Sequence, residues 1–246
     1  GWDWLLVVLI AGVLMLCRKE VAWRPEALAS LLLLLALVKP PIVLPFLWIV
    51  LFAAPSLRPF VVVVLAYVGL TVVSASFQAE GLVSLLRRAL ENSSALALEG
   101  GYANLHAGLR AVGAEAALFP CSLLVFLLLG LWIHRHRHGD LWHLLGVTAI
   151  VARFWTYHRM YDDLLILFPV IALFRIARSG DGTRRADLRA VGLIAVSWVF
   201  LLAPGTLARV SWGWPFRWSQ AILWLAMLVF LAWQAERRRA SPAPGG

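Results

Sequence analysis

Nine apolar runs, at residues 2–17, 27–38, 42–54, 60–77, 116–133, 141–155, 164–176, 188–204 and 219–234, leave this chain little polar sequence for a water-facing surface. Each run is longer than a typical strand and carries unbroken Leu, Val, Ile and Ala, without the alternation of a β-barrel strand, so helices fit. A helix needs about 20 apolar residues to cross a core of about 30 Å. Composition agrees: 62% of residues are hydrophobic and 14% charged, whereas an ordinary soluble domain is about a quarter charged. The 13 Trp suit membrane–water interfaces, where the indole N–H stays wet. The expected fold is an all-α, polytopic transmembrane helical bundle over residues 1–236, with one long outer loop at 78–115 and a disordered cytoplasmic tail at 237–246.

The net charge of +9 does not call for nucleic acid, because the basic residues fall in short clusters between apolar runs rather than along one stripe. Anionic lipid headgroups account for them more simply, which makes the lipid bilayer the expected partner. If the nine runs alternate, Arg18, Lys19, Arg24, Arg58, Arg135, Arg137, Arg175, Arg178, Arg184, Arg185, Arg189 and Arg237–Arg239 all fall on one side. That is the positive-inside pattern, with the C-terminus cytoplasmic and Gly1 outside. Cys17 and Cys121 lie in or beside apolar runs without metal-ligand spacing and read as buried free thiols.

The second and third runs are too short to cross comfortably and are separated only by Lys39, Pro40 and Pro41. They read as a Pro-broken helical hairpin whose tip carries Lys39. Two readings of that lysine stand: it lines an outward cavity, or it snorkels from a short helix end to the headgroups. Within 78–115, Leu82, Leu85, Leu86 and Leu90 keep helical spacing beside Arg87 and Arg88, as in an interfacial helix. A further short helix is expected near 102–109, where Asn104 and His106 either line a site or serve capping and packing. Asn92–Ser94 matches a glycosylation sequon, a pattern common by chance.

Ionisable groups concentrate most at the outer end of the sixth run, in Arg153, Tyr157, His158, Arg159, Tyr161, Asp162 and Asp163. Such groups are costly at membrane depth and point to function. On a continuing helix His158 and Asp162 share a face, and Arg159 reaches Asp163. Arg153, a turn deeper, suits a phosphate received bidentately. A solvated outer loop rimmed by aromatics is the competing reading. His134 and His138 have i,i+4 spacing that can hold a metal, yet the interleaved arginines favour a basic topogenic cluster. The segment 212–218 reads as a turn in an interfacial aromatic belt, with a sugar-stacking platform as the sharper alternative. No P-loop, GxSxG, HExxH or paired CxxC occurs, and the sequence asks for no metal or cofactor.

Leu37–Val38–Lys39–Pro40–Pro41 before an apolar return helix, with Tyr157–His158–Arg159–Met160–Tyr161–Asp162–Asp163 before Leu164–Leu165–Ile166–Leu167–Phe168–Pro169, carries a resemblance. It resembles the polyprenol-phosphate-mannose-dependent mannosyltransferase-like proteins of family 87, within the GT-C fold, over most of the chain. The resemblance implies transfer of a sugar, mannose or a related hexose or pentose, from a polyprenyl-phosphate donor to a glycolipid or cell-envelope glycan acceptor. The setting would be the outer face of a bacterial-type plasma membrane. Lys39 and Arg153 would suit the donor phosphate, and His158 and Asp162 would position donor or acceptor. The family's usual base is an Asp in the first outer loop. This sequence has no such loop before its first run, and Asp3 is a poor substitute, so the catalytic base is expected ahead of Gly1 on a longer chain. The rivals are a permease for an anionic substrate, which Pro-broken helices suggest but no repeat supports, and a non-catalytic membrane scaffold.

Overall fold

The computed structural model describes residues 4–17, 23–78, 81, 83–85, 87–88, 104–155, 164–179, 184–202 and 213–240. Among them all regular structure is helical: α1 (Trp4–Leu16), α2 (Trp23–Ala36), α3 (Pro40–Phe52), α4 (Arg58–Ser76), α5 (Leu105–Ala111), α6 (Leu118–His136), α7 (Leu141–Trp155), α8 (Leu167–Ser179), α9 (Arg184–Leu202) and α10 (Gly213–Ala240). A 3-10 turn, Glu115–Ala117, leads into α6. Every apolar run has its helix. Among the described residues three segments, Arg58–Ser76, Glu115–His136 and Trp218–Ala240, are long and apolar enough to cross a membrane. The helices of 13 to 15 residues rise only about 20 Å.

Two sequence expectations change in detail. The segment at 212–218 is not an aromatic turn: from Gly213 on it is the first turns of α10, where Pro215 is tolerated because early helical N–H groups lack internal partners anyway. The same helix continues through Arg237–Arg239 to Ala240, residues expected in the tail. In the expected interfacial segment, helical backbone recurs at 83–85 and 87–88, whereas Leu82, Leu86 and Leu90 lie outside the described residues.

Helix α7 is the axle of the bundle. From His143 to Arg153 all its residues but Val151 are buried, because α3, α6, α8 and α10 pack around it. A helix whose sides are mostly apolar belongs in such a position, and its buried His143, Thr148 and Arg153 are the exceptions. Helix α3 lies against α6 and α7, with Phe46 meeting Phe168 of α8 at 5.6 Å between ring centroids. Helices α1, α2 and α4 form a flank in which Gly12 lets α1 approach Ala29 and Leu33 of α2. Facing outward, α4 exposes Val61, Val62, Leu65, Val68, Val72 and Val73, and α6 exposes Phe119, Leu123, Leu127 and Leu131. Continuous apolar surface of this kind suits lipid and is costly in water.

Contacts at the helix ends fix their directions. At one end, called here the Lys39 end, the start of α3 meets the end of α7. At the other, the His134 end, Phe52 at the end of α3 packs edge-on against His134 of α6 at 5.0 Å. There Arg135 of α6 pairs with Glu236 of α10, and Arg175 of α8 pairs with Asp140 just before α7. Helices α3, α6, α8 and α10 therefore run toward the His134 end and α7 runs back. The basic residues 135, 137, 175 and 237–239 gather at that one end, as alternation requires.

Gly130 marks the tightest seam. A Cβ there would lie 2.7 Å from the Trp48 indole. That ring stacks on Phe52 and tilts against Phe126, so it has little room to yield. Gly130→Ala is expected to destabilise the α3–α6 packing by about 1–3 kcal/mol through overpacking. Gly69→Ala, in α4 with nothing within 4 Å, serves as the control and should lose nothing. Thermal unfolding of both variants in detergent checks this; equal melting temperatures would contradict the seam.

Candidate functional site

Lys39 stands at the turn between α2 and α3. Its N–H donates to the Ala36 carbonyl at 3.1 Å, and its own carbonyl accepts from Ile42 N–H at 3.1 Å. Lys39 is the N-cap of α3, and Pro40 and Pro41 occupy the first two helical positions, where a missing N–H costs nothing. The proline pair thus starts a helix as much as it ends one. The two arms then part, α2 packing mainly on α1 and α4, and α3 on α6 and α7.

A third proline couples this turn to α7. Pro45, buried inside α3, has no N–H to donate to the Pro41 carbonyl four residues earlier. The Trp155 indole Nε1–H donates to that carbonyl instead, at 2.8 Å. The last residue of α7 is thereby tied to the residue two positions after Lys39. Two residues earlier on the same helix, Arg153 is 2% exposed.

The same Trp155 reaches a second group of residues through its backbone. Its carbonyl accepts from the Ser122 hydroxyl of α6 at 3.5 Å, the long limit of such a bond, and Ser122 Oγ lies 2.8 Å from His106 Nε2 of α5. With the Ser122 proton directed to Trp155, His106 carries its own proton on Nε2 and presents a lone pair at Nδ1, a buried atom without a hydrogen-bond partner. Burial lowers the His106 pKa below the ordinary histidine value, which keeps the ring neutral near pH 7 and able to accept a proton.

Helix α5 is defined at both ends. Asn104 is its N-cap, its side-chain oxygen accepting from Ala107 N–H at 2.7 Å, which is the capping role weighed for it above. At the other end Gly113, at φ 71°, forms a Schellman closure: Gly113 N–H donates to the Arg110 carbonyl and Ala114 N–H to the Leu109 carbonyl, both at 2.9 Å. The Arg110–Glu115 ion pair at 2.7 Å spans the closure and delivers the chain into α6.

Of the residues singled out in the sequence, Lys39, Arg153 and Asn104 therefore belong to one end of the bundle, joined through Pro41, Trp155, Ser122 and His106. Tyr157, His158, Arg159, Tyr161, Asp162 and Asp163 lie outside the described residues. Trp155 and Ser122 were not singled out; the one available signal was an indole closing an apolar run that shares a bundle with a mid-helix proline. The i,i+4 pair His134 and His138 is at the opposite end, and Arg137 bridges it, Nη1 2.7 Å from His134 Nε2 and Nε donating to His138 Nε2 at 3.1 Å. The lone pairs that a metal would use are thus engaged by a cation. No family model, curated protein or solved structure matches the chain.

The coupling between Pro45 and Trp155 is open to a double-mutant cycle. Trp155→Phe strands the Pro41 carbonyl and is expected to cost about 1–3 kcal/mol. In a Pro45→Ala background the helix supplies its own N–H, so the same substitution should cost clearly less. Unfolding of the four proteins in detergent measures this, and a Trp155→Phe cost independent of residue 45 would contradict the coupling.

Proposed function

We propose that this chain is a membrane glycosyltransferase, moving a sugar, mannose first among candidates, from a polyprenyl-phosphate carrier to a lipid-linked or cell-envelope acceptor. In this reading the bundle is of the GT-C type and its nine apolar helices cross a bacterial-type plasma membrane. The His134 end and the C-terminus are cytoplasmic, and the Lys39 end faces out. One observation carries the reading: the Trp155–Pro41 hydrogen bond, which ties the Lys39 turn to the end of the helix that bears Arg153. Two cationic side chains widely separated in sequence are thereby brought to one end of the bundle, away from the arginines expected for topology alone.

The chemistry that suits this arrangement is in-line displacement at the anomeric carbon. The bond from the acceptor oxygen to that carbon forms as the bond from carbon to the carrier phosphate oxygen breaks. The departing phosphate takes the electron pair and is stabilised by Lys39 and Arg153, an electrostatic role that gains strength where water is scarce. The acceptor proton passes to a base, a carboxylate in the family resembled. Tyr157, His158, Arg159, Tyr161, Asp162 and Asp163 follow α7 directly and are assigned to donor and acceptor positioning. The neutral lone pair of His106 adds a proton-accepting group at the same end.

Transfer from radiolabelled polyprenyl-phosphate-mannose by the protein in membranes tests this, with Lys39→Ala, Arg153→Ala and His158→Ala at matched expression and Arg178→Ala as the control. The first three are expected to lose about a hundredfold or more in rate, the range for removing one group that stabilises transferred charge, with the control unchanged. Transfer indifferent to all three variants would discard this site. Uptake of an anionic solute without transfer would replace the enzyme with a permease.

A further inference from the structure

The His134 end holds a cavity of about 610 Å³ that the glycosyltransferase reading does not use. Its walls come from the end of α6, the start of α7 and the end of α10. Four arginines line it, Arg135, Arg137, Arg238 and Arg239, against a single carboxylate, Asp140. The volume is that of a small-molecule site.

The lining is organised. Arg135 grips Glu236 bidentately, Nε to Oε1 at 3.0 Å and Nη2 to Oε2 at 3.3 Å. His136 stacks on Trp132, bonds the Trp132 carbonyl through Nδ1 at 2.8 Å and turns Nε2 toward Glu236 at 3.3 Å. Asp140 caps α7 by accepting from Trp142 N–H at 2.7 Å and receives Arg175 at 3.1 Å. Burial pushes its carboxyl up, but His143, the Trp142 N–H and Arg175 together hold it well below the usual carboxylate range, so it stays anionic and engaged. These pairs engage Asp140 and Glu236, and in the cavity wall itself four arginines outnumber one carboxylate.

His143 is the residue that this internal pairing does not satisfy. It is 3% exposed and lines the cavity, yet neither ring nitrogen has a hydrogen-bond partner among the described residues. The approach of Nδ1 to Asp140, at 4.0 Å, is too long for a hydrogen bond, so the ring acts on that carboxyl through space rather than through a bonded N–H. A buried ring N–H without an acceptor is costly, and an anionic oxygen in the cavity would satisfy it.

We propose that this cavity binds a phosphate-bearing anion, received by the guanidinium forks of Arg238 and Arg239 and by the ring N–H of His143. Arginine fits phosphate oxygens in pairs, and the volume admits a molecule larger than phosphate alone. The source is a free phosphorylated solute or the headgroup of an anionic lipid. Ordinary positive-inside clustering needs only positive charge, whereas a built site needs the planar fork.

The test exploits that difference through Arg238→Lys/Arg239→Lys, which keeps charge and topology, beside Arg178→Lys/Arg189→Lys as a control off the cavity. Whole protein in phosphatidylcholine nanodiscs is titrated with radiolabelled pyrophosphate. In parallel, phosphatidylglycerol retained after delipidation is counted by native mass spectrometry. Binding in at least one arm is expected, weakened about tenfold by the 238/239 pair, lowered by His143→Phe and unchanged by the control. Loss confined to the pyrophosphate arm identifies a soluble ligand, and loss confined to the lipid arm a headgroup. No binding in either arm, binding that survives Arg238→Lys/Arg239→Lys, or an equal loss in the control overturns the proposal.

Discussion

One hydrogen bond, from the Trp155 indole to the Pro41 carbonyl, holds together the end of the bundle where function is proposed. Its origin is the absence of an N–H on Pro45, which leaves a carbonyl near the top of α3 without its helical donor. In water that carbonyl would be solvated. Among packed apolar helices it needs a protein donor, and in a bilayer the requirement is stricter still. The sequence answers with an indole on another helix, 114 residues away. A local defect in one helix thus becomes a tertiary tie between two, and Ser122 and His106 are drawn into the same group through the carbonyl of the same tryptophan.

The bundle has two ends of different chemistry because α7, buried almost all round, connects them. At the Lys39 end the described residues include an N-capping asparagine, a histidine beside a serine, and a buried arginine. At the His134 end charge is abundant and largely paired, with residual positive charge lining a cavity. Gly146 lets α7 and α8 come close, since a Cβ there would sit 3.1 Å from the Pro169 backbone. Such close contact makes α7 a stiff connector rather than an independent rod.

Much of this architecture was legible because hydrophobic runs are long-range averages that survive local detail. All nine became helices, and the basic clusters at 135–137, 175 and 237–239 converge on one end. What escaped the sequence depended on partners far away in the chain. Nothing near Trp155 announces that its donor will repair a defect created by Pro45. The spacing of His134 and His138 suggested a pair, yet only the fold places the Arg137 guanidinium against both rings. Asn104 was legible in type but divided between a site and a cap, and its side-chain oxygen does cap α5 through Ala107 N–H. The cavity was invisible because its walls come from three helices. The segment at 212–218 was misread because seven residues rich in Trp, Gly and Pro look like a turn until the long helix behind them is counted.

The central claim is that the Lys39 end and the His134 end lie at opposite faces of a membrane. Single cysteines at Val38 and at Gly139, both exposed positions, test it directly in a background where Cys17 and Cys121 are serine. A membrane-impermeant maleimide applied to right-side-out and inverted vesicles should label Val38→Cys only in the former and Gly139→Cys only in the latter. Labelling of both from the same side would contradict the account.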